Sequence, residues 1–358
     1  MLVVAMTLLN CTPPSNPVDR FLRSIDFSGA ALVVADGNVI VRAGYGAADR
    51  ELNVPNTAEG VFRIGSLTKP LTSTAVLHAV ESGILRLDDP LCEFIRVCPE
   101  EWRAVAIRQL LNHTSGIPDL FGALASAPVL ETTAEVDRVL RERVSVPLRT
   151  NPGIEFAYSN FNYVLAGYVL EVASGEDWES YLRKHILSPV GAVHTRYDDA
   201  WTLVDGRVHG YTQADGRVRP IAYKDHSGYA AGGLLSTVDD LRRWHEAFVE
   251  AAIINNASVE LAVTPYRGDY GFGWQVIEAL GRPLQNHSGG ISGFTSHLAW
   301  YPDERLLVVL LSNVEGTDVK AIACDIARIV FADPDQPSAM RVWLERSSAD
   351  RCRQRSRR

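Results

Sequence analysis

No stretch of this 358-residue chain approaches the roughly 18 consecutive apolar residues that a bilayer span requires, which excludes an ordinary transmembrane helix. Cysteine is scarce. Cys11, Cys92, Cys98, Cys324 and Cys352 are too scattered for a disulfide framework, and only Cys92 and Cys98 stand close enough in sequence to suggest a pair, with two free thiols the other reading. No His/Cys/Asp/Glu cluster has metal-site spacing, so no metal is expected, and nothing calls for another cofactor. Internal repeats are absent. So is any serine in a G-x-S-x-G setting, which leaves a conventional α/β-hydrolase elbow without support. Net positive charge is lacking over most of the chain. The net charge is −8, although the last eighteen residues carry seven Arg against Glu345 and Asp350. An acidic body argues against a nucleic-acid-binding core, and the basic tail over 333–358 reads as a solvated terminus that adds little to it.

With 46% apolar and 22% charged residues, the chain has the composition of a water-soluble globular protein, long enough for two domains or for one core with a large insertion. The first ten residues are nearly all apolar and run into Cys11 and the stiff spacer Thr12-Pro13-Pro14-Ser15-Asn16-Pro17. Residues 1–16 resemble the end of a lipoprotein signal, with Cys11 as lipid tether. The missing positive n-region, and Asn10 where a small residue is usual, favour a frayed apolar N-terminus instead. Location follows that choice: periplasmic or membrane-tethered in the first case, cytoplasmic otherwise.

The organising stretch is Gly65-Ser66-Leu67-Thr68-Lys69-Pro70. Behind it runs the helical pattern Leu71, Ala75, Val76, Ala79, Val80, which stops at Gly83. Pro70 lacks an N–H and belongs in the first turn, so Ser66 sits at the helix mouth. Ser66 could be a simple N-cap. Lys69 speaks against that, because an ammonium opposes the macrodipole at the place where a capping box puts Glu or Gln. Positions i and i+3 share a helix face, so Ser66 and Lys69 can touch, and a desolvated lysine can take a serine proton.

In chain order, a short helix over 18–25 leads to a hairpin of two β-rich runs, 30–34 and 39–43, turned at Asp36-Gly37. Helices are expected over 107–111, 134–143, 161–173 and 178–186, and a capped one over 237–249. β-rich runs follow at 271–277, 295–301 and 306–311, then a helix over 318–331. Two strands at the start and three at the end give an α+β fold: one antiparallel β-sheet flanked by helices plus an all-α insertion domain. The boundaries are 17–66 with 231–332 for the sheet domain and 67–230 for the insertion. Ser66 lies at their seam. The loops 118–128 and 204–229 are expected to shape the pocket there.

Two further motifs carry chemistry. In Tyr158-Ser159-Asn160, the phenol of Tyr158 can share or relay the Ser66 proton, and Asn160 can bond Lys69 or a substrate amide, although Tyr158 alone would read as a packed aromatic. In His287-Ser288-Gly289-Gly290, placed just before the strand beginning near Thr295, the glycines let backbone approach a ligand, and an N–H can join that of Ser66 as oxyanion donor. By itself His287 would read as a surface-loop histidine.

Ser66/Lys69, Tyr-x-Asn and His-x-Gly, in this order and spacing, resemble the penicillin-recognising serine hydrolases, within them the group of class C β-lactamases, family VIII carboxylesterases and D-aminopeptidases. Leu110-Leu111-Asn112-His113-Thr114-Ser115-Gly116-Ile117-Pro118 and Gly232-Gly233-Leu234-Leu235-Ser236-Thr237 add to the likeness, which covers about 20–332. The resemblance implies Ser66 as acylated nucleophile, Lys69 and Tyr158 as the proton-transfer pair, Asn160 as a positioning residue, and the Ser66 and Gly290 amides as the oxyanion hole. Where many β-lactamases have Lys-Thr-Gly, this chain has His287-Ser288-Gly289. A histidine with ordinary pKa near 6.5 is mostly neutral at pH 7, and loss of one ion pair to a substrate carboxylate would cost about 2 kcal/mol. A small neutral ester or amide is therefore expected ahead of an anionic β-lactam. A β-lactamase, a D,D-peptidase or D-aminopeptidase, and a non-hydrolysing penicillin-binding sensor or pseudoenzyme are the alternatives. Activity is expected to fall below about pH 6.5 as His287 and the base protonate.

Overall fold

The computed structural model describes residues 16–120, 133–142, 146–199, 201–221 and 228–332. Cys11, the basic tail and parts of the loops 118–128 and 204–229 lie outside the described residues.

The sheet strands are β1 (Gly29–Ala35), β2 (Asn38–Tyr45), β3 (Gln275–Ala279), β4 (Arg282–Ile291), β5 (Phe294–Tyr301) and β6 (Leu306–Ser312). They form one antiparallel sheet in the order β3-β4-β5-β6-β1-β2. The two chain ends meet where β1 pairs with β6, Gly29 opposite Ser312 and Ala35 opposite Leu306. The β1–β2 turn falls at Asp36 and Gly37, both at positive φ, as an Asp-Gly hairpin requires.

The sheet has six strands where the sequence pattern suggests five. The additional one is β4, whose sequence Arg-Pro-Leu-Gln-Asn-His-Ser-Gly-Gly-Ile is poor in β-branched and aromatic residues. Two good strands, β3 and β5, hold it from either side, so tertiary pairing overrides weak propensity.

Alternation along the strands sends side chains to two cores. Ala30, Leu32, Leu298, Val309 and Leu311 pack with the helices of the insertion. Ala31, Val33, Ala299, Tyr301, Val308 and Leu310 pack with α1 (Pro17–Ser24) and α5 (Val319–Phe331) on the opposite face.

The central helix α2 (Thr68–Glu81) is buried nearly all round and ends at Ser82, with Gly83 at φ 71°. Behind it runs α3 (Asn160–Ser174), stopped by a left-handed Gly175. α4 (Val238–Val249) starts at Thr237, whose hydroxyl accepts from the Asp240 N–H at 3.1 Å. The segment between α2 and residue 230 is not purely helical. It also holds the hairpin Tyr211–Ala214/Arg217–Pro220 and the strand Arg196–Tyr197. That strand joins Leu234–Ser236 and Phe62–Arg63 in a small second sheet. Buried Asp198 receives Arg63, three residues before Ser66 in sequence, at 2.9 Å and Arg207 at 2.9 Å. Cys92 and Cys98 form a disulfide, resolving the two readings of that pair.

Candidate active site

Ser66 occupies a single 3-10 turn, Gly65–Leu67, that leads directly into α2. It is not the helix cap: Leu67 holds that position and makes no side-chain bond. The turn is pressed against β4. Ser296 donates its hydroxyl to the Ile64 carbonyl at 2.7 Å. Gly65, at φ 51°, lies so close to Gly290 that a Cβ on it would stand 2.9 Å from the Gly290 nitrogen. Ser66 is thereby brought beside the backbone of the third motif.

One helical turn on, the Lys69 amine is fully buried and held by three oxygens. Nζ lies 2.9 Å from Ser66 Oγ, 2.8 Å from Asn160 Oδ1 and 2.7 Å from the Ala231 carbonyl. Burial strips the ammonium of water and lowers its pKa to about 7, against a smaller opposing pull from Asp119. Desolvation thus favours the neutral amine, and a neutral amine beside a hydroxyl is a competent base.

Asn160 opens α3, whose first turn is capped from outside: Asp119 Oδ1 accepts from the Phe161 N–H at 3.2 Å. Tyr158 precedes it, with its ring centroid 5.0 Å from Lys69 Nζ and Ser66 among the groups that act on its phenol. Desolvation raises the phenol pKa, Ser66 opposes this, and Asp119 adds to the rise. Tyr158 as a whole is 41% exposed, and its raised pKa keeps the phenol protonated as a donor at neutral pH.

What backs Tyr158 carries no signal in the sequence. His113 sits at φ 58°, fully buried, with its ring 4.4 Å from that of Tyr158 and 4.9 Å from that of Tyr270. Its Nδ1 accepts from the Ser159 N–H at 3.3 Å. The stretch containing His113 was visible, but a left-handed histidine under the tyrosine has no sequence signature. The Ala231 acceptor was equally hidden, being a backbone atom.

His287 lies within β4, buried to 6% exposure, which sets aside the surface-loop alternative. Its Nδ1 donates to its neighbour's carbonyl, that of Ser288, at 2.8 Å, so Nε2 accepts from the Tyr270 hydroxyl at 2.8 Å. Burial first, and Lys69 second, pull its pKa down to about 3. It is neutral across the working range and does not titrate near pH 6.5 as expected from its ordinary value.

Ser288 is a correction. Its Oγ meets Nδ1 of His297, its cross-strand partner, at 2.7 Å. His297 shares a strand face with Ala299 and Tyr301, which pack toward α5, so Ser288 points away from Ser66. Gly289 explains itself by contact: a Cβ there would stand 1.9 Å from the Ile64 carbonyl oxygen. Gly290 has open space at its Cβ position. A separate cavity of about 230 Å³, lined by Arg63, Arg207, Val208, Tyr211, Leu235 and Phe294, includes none of these groups in its lining. The Ser66–Lys69 geometry, not cavity size, marks the candidate site.

An antiparallel sheet with a helical insertion, and a serine–lysine pair on the helix between them, defines the β-lactamase/transpeptidase class of serine hydrolases. The family model described as Beta-lactamase matches residues 18–333, and the chain belongs to that family. Penicillin-binding protein 4* of Bacillus subtilis (strain 168) is similar, 31% identical over 86% of this chain and 73% of its own. D-aminopeptidase of Gluconobacter oxydans (strain 621H) is 26% identical over 89% of this chain and 63% of its own. Among solved structures, a penicillin-binding protein from Bacillus halodurans superposes with TM-score 0.80 at 25% identity, covering 88% of this chain and all of that one.

Proposed function

We propose that the chain hydrolyses a small ester or amide through an acyl-enzyme on Ser66. One observation carries this reading: a fully buried amine stands 2.9 Å from the Ser66 hydroxyl. In acylation the Ser66 proton passes to neutral Lys69 while Oγ attacks the substrate carbonyl. The Ser66 and Gly290 amides stabilise the oxyanion. Tyr158 relays the proton onto the departing alcohol or amine. Deacylation returns the serine as water adds and the proton retraces the route. Asn160 orients Lys69. Residues 17–66 with 231–332 act as the sheet domain and 67–230 as the insertion that closes over it.

His287 adds no positive charge to the cleft. A neutral histidine where a lysine would bind a carboxylate supports an uncharged ester or amide over an anionic β-lactam. The D-aminopeptidase relative supports the amide side of the same reading. The test is turnover of p-nitrophenyl butyrate, nitrocefin and D-alanine p-nitroanilide by the wild type and Ser66→Ala. Loss of the preferred activity in Ser66→Ala is expected, and unchanged turnover overturns the mechanism. Stable covalent labelling without turnover of any substrate would instead mark a penicillin-binding sensor.

A further inference from the structure

Lys69 is cradled from two sides, and both lead to α3. Asn160, its first residue, accepts from Lys69 directly. The other acceptor, Ala231, lies in the 3-10 turn Tyr229–Ala231. That turn begins in an unfavourable conformation. Tyr229, a bulky residue, sits at φ 46°, a region few side chains enter without being held there.

The hold is visible. The buried Tyr229 hydroxyl donates a short hydrogen bond to Glu171 Oε1 near the far end of α3. The same oxygen accepts from the Trp178 N–H at 3.0 Å, and the Trp178 ring lies 5.3 Å from that of Tyr229. The turn presents two carbonyls in succession to α2: Ala230 accepts from Thr72 at 2.8 Å and Ala231 from Lys69 at 2.7 Å. Gly167 of α3 permits the approach, since a Cβ there would stand 2.4 Å from that of Ala230.

We propose that Tyr229 and Glu171 are positioning residues that pin this turn to α3, so that the Ala231 carbonyl holds the Lys69 amine in line with Ser66. The proposal rests on the reading of Lys69 as base. The groups facing Lys69 electrostatically are Asp119, His113 and His287, with the Tyr158 and Tyr163 rings at its side. Those acting on Tyr229 are Glu171, Tyr197 and Asp177. Removing the Glu171 charge while keeping its bonded oxygen separates an effect through the turn from one through charge.

The test uses the full chain. Its lysines are few (Lys69, Lys184, Lys224 and Lys320), so Lys69 can be followed by NMR of 13C-lysine-labelled protein, assigned by loss of its signal in Lys69→Arg. Ser66 reactivity is read from the rate of fluorophosphonate labelling against pH. In Tyr229→Phe and Glu171→Leu the ammonium loses its carbonyl acceptor. Its titration is expected to move down by about 0.5 pH unit, and the plateau labelling rate to fall about tenfold. Glu171→Gln keeps the bonded oxygen and discards the charge, so it should titrate and label like the wild type. Overturning results are an unmoved or upward Lys69 titration in Tyr229→Phe, or a Glu171→Gln variant that behaves like Glu171→Leu. Should Glu171→Leu not fold, Tyr229→Phe alone decides. A wild-type labelling profile that ignores the Lys69 titration sinks the base assignment, while the NMR shift still tests the clamp.

Discussion

At the level of single residues, the pH dependence of the reaction belongs to one group. In the proposed mechanism Lys69 must be neutral to accept the Ser66 proton, and burial, outweighing the field of Asp119, lowers its pKa to about 7. The rate kcat/KM should therefore rise with pH, half-maximal near 7, and fall as protonation removes the base. His287, held near pKa 3, contributes nothing to that limb. A pH–rate profile of His287→Asn should lose amplitude and keep its midpoint. Asp119 is exposed, and its charge raises the Lys69 pKa. Asp119→Asn should shift the acid limb to lower pH by a few tenths of a unit, and the difference should shrink in about 1 M salt. An upward or salt-independent shift would contradict the assignment. Much of this residue pattern was legible beforehand. A lysine that defies the helix dipole announces its own use, and i, i+3 spacing makes its contact with Ser66 a matter of helix geometry. Ser288 was misplaced because the strand carrying it went unseen. Once β4 is a strand, alternation sends His287 and Ser288 to opposite faces.

At the level of elements, the decisive contact is that of the Ser66 turn with β4, and the two glycines of the third motif divide there. Gly289 abuts the Ile64 carbonyl with no room for a methyl group, whereas nothing stands within 4 Å of a Cβ on Gly290. Gly289→Ala must push the turn off the strand, separating Ser66 from the Gly290 backbone. A loss of about 100-fold in kcat and about 2 kcal/mol in stability is expected. Gly290→Ala should keep its stability and lose less than about tenfold in kcat. Thermal melting with ester or amide turnover distinguishes them, and equal sensitivity at both positions would refute this account of the turn. The sequence marks both glycines alike, because close approach is a property of two elements together. Helices α2, α3 and α4 were legible within a residue or two, since a glycine stop after α2, Gly175 after α3 and Thr237 before α4 are local signals. Strand β4 lacked such signals and depends on its neighbours.

At the level of the whole molecule, the chain closes on itself. The first hairpin pairs with the last strand through β1 and β6, and the insertion between them is packed against one face of the completed sheet. This closure was legible from hairpins at both ends with helical patterning between, because antiparallel strands need little connection and a single sheet leaves fewest open edges. The Cys92–Cys98 bond was legible only as one of two readings, since spacing alone cannot say whether two side chains face each other. Its place suggests what it does. It closes a loop of sequence separation 6 in the insertion, and both cysteines are partly buried against the core shared with the sheet. None of the groups bonded to Lys69 or Ser66 belongs to that loop. A short closed loop removes about 2 kcal/mol of freedom from the unfolded chain. The double variant Cys92→Ser/Cys98→Ser should therefore melt a few degrees lower while labelling at Ser66 with the wild-type rate and acid midpoint. If labelling slows in proportion to the lost stability, the insertion transmits its packing to the Ser66–Lys69 pair, and the separation of scaffold from chemistry fails.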